Sequence, residues 1–592
     1  MPRSVVSGLA AVLALAAIAF GIVRLTGDPT PARAGLPPLT AHRAEDRTPA
    51  GRVDLRPGPA DAVLTARGDL TRLGLDDQEP TLSPAAVSSR RFGRRISYPV
   101  DGKLYAQPLY LPGLRIRGRL HNVVIVATEH DSVYAFDADA RTAHGALPAP
   151  LWRMSLLMPG ARPFEAAIDR IGPPPGRLCD SIGPQVGVTS TPVVDWTAKT
   201  IFVMALDVER GLLTYRLHAL DVYSGQDRRP AVAVRATVPG DGIDSAHGQV
   251  VFRAAEEQQR LALTEVAGTV YAGFGSWCDV PPFHGWLTGF SPATLAPTIV
   301  HNDSPDTYGG GLWESQAGIT ADAHGHLFLV SGDGPFDLDR GGRDAGNTVL
   351  EMVPQGGTLR VVDYFTPFNQ RCLARHDLDL GSGSPLAVPG ADELILTAKS
   401  GAVYVLDQSS LGGYHTIPGL CAPTALNRPK PTAAAEARTD VDRIRQELPD
   451  GTVAGGVWGT WAYWAQRTGR FVYASGATGR LTQWRLRGDG TIDPVRVAQA
   501  PGAFSYPGAI PVTTGDQGRP GSGIVWTVGQ APGTALRAFA ADDVADELWS
   551  SDAAANGMRP GEFAHFTVPV TADGKVIVAD QAYLDIYGML QG

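Results

Sequence analysis

The sequence predicts an all-β fold, a β-propeller of eight four-stranded blades whose last blade is closed by a strand from the N-terminal end of the domain. Three observations predict it. Strand triplets joined by tight polar turns recur eight times, at intervals of roughly 50 to 80 residues. The last triplet lacks a fourth strand before Gly592, whereas 94–100 reads as a strand with no neighbour of its own. Pairing these two ends closes a ring and leaves no open sheet edge.

Each element follows from alternating or continuous apolar runs bounded by turn residues. The first triplet is 122–127, 132–137 and 151–156, with the polar turn Glu129-His130-Asp131 between its first two strands. Its successors are 191–194, 201–206 and 215–221, followed by 261–264, 270–275 and 285–290. Then come a short strand at Ile319 with 327–331 and 347–353, and the set 385–388, 394–398 and 402–407. The last three sets are 461–464, 471–475 and 481–486; 509–512, 524–528 and 535–539; and 566–570, 576–579 and 583–587. Weaker fourth strands such as 360–364 and 547–549 follow most triplets. One run, 433–448, is rich in Ala, Glu and Arg and is expected to be helical, a surface insertion at about 430–450.

Composition excludes several classes of function. A formal charge of -9 with no run of like charges argues against a nucleic-acid partner. The four cysteines, Cys179, Cys278, Cys372 and Cys421, have no C-x-x-C spacing and offer no readable zinc site. Arg3 precedes an apolar stretch from Val5 to Val23, followed by Arg24 and a Pro-rich segment with Ala32-Arg33-Ala34. This is the form of an export signal. The stretch is also long enough, at about 1.5 Å per residue, to span most of a ~30 Å bilayer core. Residues 1–34 are therefore expected to be a signal peptide or an N-terminal membrane anchor, and 35–60 a flexible linker. Residues 61–592 would form the propeller, outside the cytoplasm, secreted or anchored to the cytoplasmic membrane. There the cysteines can form disulfides in any of three connectivities; Cys179 with Cys278 and Cys372 with Cys421 would each link neighbouring blades.

The repeat Val133-Tyr-Ala-Phe-Asp137 with Leu151-Trp152, seen again at 536–540 with Leu548-Trp549, resembles the pyrroloquinoline-quinone-type propeller repeat. Segments 98–108, 122–137 and 377–384 are similar to secreted bacterial quinoprotein-like propellers, and the likeness covers most of 69–590. For the enzymes of that superfamily, the resemblance implies pyrroloquinoline quinone and Ca²⁺ in the central funnel and oxidation of an alcohol or sugar hydroxyl. Gly309-Gly-Gly-Leu-Trp313 resembles the segment whose Trp stacks on the quinone, and Gly455-Gly-Val-Trp458 a second quinone-contacting turn, with Val457 in place of the family's Asn. Asp333 stands where an Asn ligates the metal, and Asp377 or Asp379 where the catalytic base stands. Lys399 matches the cation that touches the quinone oxygens.

Departures point the other way. The adjacent-cysteine disulfide of the alcohol dehydrogenases is absent, and the second-blade acidic ligand is out of register, with Glu209 one residue from the matching position. No Cys-x-x-Cys-His haem motif is present, so an enzyme would need an external electron acceptor. The sequence thus supports two functions: a monomeric quinone-dependent dehydrogenase acting on a small alcohol or sugar, and a non-catalytic propeller scaffold for an envelope protein or glycan.

Overall fold

A computed structural model describes residues 52–590 except 142–146, 170–181, 422–437, 531–532 and 554–557. Eight blade sheets follow one another around a central axis, and a two-stranded ribbon, Thr237–Pro239 with Gln249–Val251, stands outside them. The first blade is Leu109–Ile116, Arg119–Ala127, Ser132–Asp137 and Trp152–Ser155, antiparallel throughout. Its innermost strand escaped the sequence reading because Pro112 and Gly113 interrupt the apolar alternation, and the ladder does slip register between Leu111 and Leu114.

The ring closes as predicted. In the eighth blade, Val570–Ala572, Lys575–Ala579 and Tyr583–Met589 are completed by the N-terminal strand Phe92–Pro99, with Tyr98 opposite Leu584. Tyr98 then packs across the seam on Phe136 of the first blade, ring centroids 4.3 Å apart, and donates its hydroxyl to Asp137 O at 3.0 Å. Apolar side chains from facing sheets fill the gaps between blades; Val124, Val126, Ile577 and Ile586 do so at this seam, so the core is a series of interblade layers.

The expected helix is not formed over its described part. Residues 438–445 are irregular, and Gln446–Leu448 is the fourth strand of the fifth blade, paired with Val403–Val405. Helix propensity is outweighed there by an unpaired sheet edge that accepts the segment; the remainder of the predicted run lies outside the described residues. Likewise, the leader at 1–34 lies outside them, and no helix among the described residues is long and apolar enough to cross a membrane. Cys372 and Cys421 form a disulfide, and Cys278 is also disulfide-bonded, although Cys179 is outside the described residues.

One element had no counterpart in the sequence reading. The end of the expected linker is docked, with Val53 N–H donating to Ala323 O at 2.9 Å, and the chain from Val63 to Glu79 then crosses the central channel. Val63 exchanges two hydrogen bonds with Tyr110 of the first blade. Leu64 O accepts from Val194, Leu70 O from Ala321, Thr71 O from Ala387, Leu73 O from Tyr463 and Gly74 O from Thr513, reaching the second and the fourth to seventh blades. Arg72 Nη2 donates to Thr264 Oγ1 of the third blade at 2.8 Å, and Glu79 Oε2 accepts from Gly574 N–H of the eighth at 2.6 Å. All eight blades are thereby fastened to one short segment, which plugs one end of the channel.

Candidate functional site

The open end of the channel is a funnel. Its wall at the fourth blade begins with Gly309 and Gly310, whose positive φ angles of 89° and 67° need glycine. The chain then delivers Trp313. A Cβ on Gly275 would lie 3.2 Å from the indole, and one on Gly311 3.1 Å from it, so these bare backbones form the bed on which the ring lies. Gly332 does the same at the ring edge: a methyl there would stand 2.6 Å from Trp313 Nε1 and 2.8 Å from Asp379 Oδ1. Gly332→Ala is therefore expected to displace the indole and weaken ligand binding in the funnel by tenfold or more, with a melting temperature close to wild type; quenching titration against thermal melting checks it.

The polar wall is built from three turns. Asp333 N–H donates to Asp379 Oδ1 at 2.7 Å. Asn347 ties the turn of Asp333 to the one that follows Asp379, donating from Nδ2 to Asp333 Oδ1 at 2.6 Å and accepting from Leu380 N–H at 2.8 Å. Lys399 Nζ pairs with Asp377 Oδ1 at 2.6 Å and with Asp379 Oδ2. Of the two candidate bases, Asp379 is 5% exposed and lines the funnel, whereas Asp377, 72% exposed, caps the short helix Gln370–His376 at the rim. Burial and the Asp379 charge together raise the Asp333 carboxyl pKa. Burial pulls the Lys399 ammonium down, but Asp379 and Asp377 more than offset this and hold it above its ordinary value.

Carboxylate oxygens of Asp333, Asp377 and Asp379 lie within 4.8 Å of one another, a hard, anionic set suited to a cation. Glu209 is not brought there; it pairs with Arg216 on the neighbouring strand of the second blade. The structure therefore unites Trp313, Asp333, Asp377, Asp379 and Lys399 and leaves Glu209 apart.

Opposite these groups stand Trp458, which the Gly455–Trp458 turn marked, and Tyr506, His565, Arg260 and Phe566, which no motif marked. Trp458 meets Tyr506 edge-on at 5.1 Å, and Tyr506 meets His565 at 5.7 Å. Arg260 lies over both the Trp313 ring (5.6 Å) and the Phe566 ring (4.9 Å). The funnel encloses about 170 Å³ between them. Burial, with Arg260 and Lys103 nearby, lowers the His565 pKa. Trp458 is placed by Gly456, where a Cβ would strike Lys399 O at 2.1 Å, so the turn and the lysine come together only with glycine there.

Behind Trp313, fully buried Glu314 accepts from Val330 N–H at 2.9 Å and from Ser384 Oγ at 2.8 Å. Burial pushes its pKa up to about 8. An acid whose folded pKa is raised binds its proton more tightly when folded, so its contribution to stability is present at low pH and lost as pH rises from about 4.5 to 8. Glu314→Gln is expected to flatten that segment of the stability curve, by up to about 1.4 kcal/mol per pH unit; denaturant melts between pH 5 and 8 check it.

The fold can be set beside known structures. No protein-family model and no curated protein matches the chain. It is similar to the quinohemoprotein alcohol dehydrogenase of Comamonas testosteroni, at 14% identity and a TM-score of 0.53, over 92% of this chain and 84% of that one. A quinohemoprotein alcohol dehydrogenase of Pseudomonas putida gives the same values. A europium-containing methanol dehydrogenase is 12% identical, with a TM-score of 0.54, over 90% of this chain and 99% of the other. The chain is an eight-bladed β-propeller, similar in fold to those structures.

Proposed function

We propose that the funnel binds pyrroloquinoline quinone with Ca²⁺ or a similarly hard cation and oxidises a small alcohol or a sugar hydroxyl, passing electrons to an external acceptor. The observation that carries this reading is the meeting, at one funnel, of a glycine-bedded Trp313 with the Asp379–Lys399 ion pair. The residues fit the group: an aromatic face for a planar ring, a cluster of three acids for a cation, and two cations, Lys399 and Arg260, for its anionic edges. Bound there, the quinone and cation supply the two-electron oxidant and a Lewis acid. Asp333 and Asp379 would hold the metal, and Trp313 and Trp458 would hold the planar ring.

The chain's own chemistry is proton transfer. Asp379 accepts the substrate hydroxyl proton on a carboxylate oxygen, and Lys399 offsets the negative charge beside it. The aromatic wall of Trp458, Tyr506 and Phe566 excludes water from that proton's path. The apolar leader and the Cys372–Cys421 disulfide support an extracytoplasmic location, secreted or anchored, for a monomer.

Titration of the full chain with pyrroloquinoline quinone, with and without Ca²⁺, tests the reading. A Ca²⁺-dependent gain in stability of about 2.7 kcal/mol at a hundredfold excess over Kd, absent in Trp313→Ala, is expected. No shift at any concentration would overturn it. Two observations favour the second function, a propeller scaffold for an envelope protein or glycan: Glu209 is engaged by Arg216, and Lys399 already occupies Asp379.

A further inference from the structure

The face that the plug stops carries a cavity of its own, of about 400 Å³, between the second and third blades. Leu64 and Leu70 of the plug and Val194 of the second blade give it an apolar floor, and Trp196 stands at its side. Gly58 lays the incoming chain against that ring: a Cβ there would stand 3.4 Å from Trp196 Cγ and 2.6 Å from Leu64 Cδ1. The cavity shares no residue with the funnel.

Two inner strands, Val193–Asp195 and Thr264–Val266, border this cavity, and each brings an acid to it. In the second of them Thr264 and Val266 are buried, so the period of two turns Glu265 the other way, to the cavity. Among the described residues no hydrogen bond or ion pair reaches the Glu265 carboxylate, and the charge it feels is that of Asp195, of the same sign. Burial and that neighbour raise its pKa to about 7. Asp195 is engaged on one side, its Oδ1 accepting from Ala198 N–H at 2.8 Å. Lys199 acts on Asp195 through its field, while its ammonium is seated on the Trp196 ring, 3.1 Å from the centroid. Asp54 adds a third acid to the lining against one base, Arg52.

We propose that this cavity is a second ligand site, built for an organic ammonium ion with an apolar body. The ammonium donates to Glu265 and Asp195, and the body lies over Leu64, Leu70 and Val194 beside Trp196. The chemistry selects this class. Two half-buried acids of like charge are stabilised by a shared cation, and the hydrocarbon floor gains from covering an apolar group. A bare metal ion is a poorer match, because a hard cation takes about six to eight oxygens and much of this lining is hydrocarbon. The volume lies within the range of about 300–1,000 Å³ in which proteins hold small molecules.

Calorimetric titration of the full chain with 2-phenylethylammonium and with its neutral counterpart 2-phenylethanol, at pH 8 where Glu265 is ionised, tests the site. Wild type is expected to bind the ammonium ion about tenfold or more tightly than the alcohol, the scale of one partly buried ion pair. Glu265→Gln, which breaks no hydrogen bond of the fold, is expected to bind the two within about threefold of each other. Trp313→Ala is expected to keep the full preference, since it alters the funnel alone; melting curves establish that both variants are folded. The comparison on wild type needs no variant. Equal binding of the two probes by wild type, or binding of neither, would overturn the site. So would a preference that survives Glu265→Gln, and so would one that disappears in Trp313→Ala, which would place the ammonium ion in the funnel.

Discussion

Asp379→Asn is expected to lower the rate of alcohol oxidation by about 10²–10⁴-fold, measured with quinone and cation at concentrations that saturate the variant. The amide has the shape of the carboxylate but no basic oxygen, so the hydroxyl proton loses its acceptor. Asp379 Oδ1 would still accept from Asp333 N–H, now as an amide oxygen, and Lys399 would keep Asp377 at the rim. Asp377→Asn is the informative comparison: it removes the other partner of Lys399 but leaves the buried acid in place, and its effect should be under tenfold. The checks are steady-state turnover with an artificial acceptor and a parallel binding titration. Turnover of Asp379→Asn within tenfold of wild type would remove Asp379 from the role of base.

Arg72→Ala is expected to destabilise the protein by about 3–5 kcal/mol, read as a lower urea midpoint with an unchanged slope. Arg72 has no exposed surface and donates to Ile319 O at 2.9 and 2.7 Å, Ala66 O at 2.7 Å, Thr65 Oγ1 at 3.0 Å and Thr264 Oγ1 at 2.8 Å. Truncation leaves buried carbonyls unpaired and a void where the third and fourth blades meet the plug. Arg72→Lys should recover little, because a single ammonium cannot serve acceptors arranged around a planar fork. A loss below about 1 kcal/mol would show that the segment Val63–Glu79 merely rests in the channel.

The propeller was legible because a blade is a local object: strand, tight turn and strand carry their alternation within some 50 residues of sequence. Tyr98 and its strand were legible for a different reason, the surplus strand at one end matching the deficit at the other. What stayed hidden was non-local or single. The plug contacts most blades through one backbone hydrogen bond each, which leaves no side-chain pattern to read. Segment 438–448 misled because propensity speaks for an isolated peptide, whereas the fifth blade offered an edge.

Of the residues that meet at the funnel, those in recognisable turns, Trp313, Asp333, Asp379, Lys399 and Trp458, could be picked out from the sequence, but their supports could not. Asn347 orients Asp333 and holds Leu380 N–H from a turn with no distinguishing neighbours. Arg260 did leave a trace, a charge immediately before the apolar run Leu261-Ala-Leu263 that leads into the inner strand Thr264–Val266.

The plug also makes the molecule a one-ended vessel. With the far end of the channel stopped by a segment bonded to every blade, whatever enters the funnel leaves by the same mouth, so arriving and departing small molecules compete for one aperture. It gives the disc a front and a back as well. The described chain begins on the stopped face, where Val53 is bonded to Ala323, opposite the mouth.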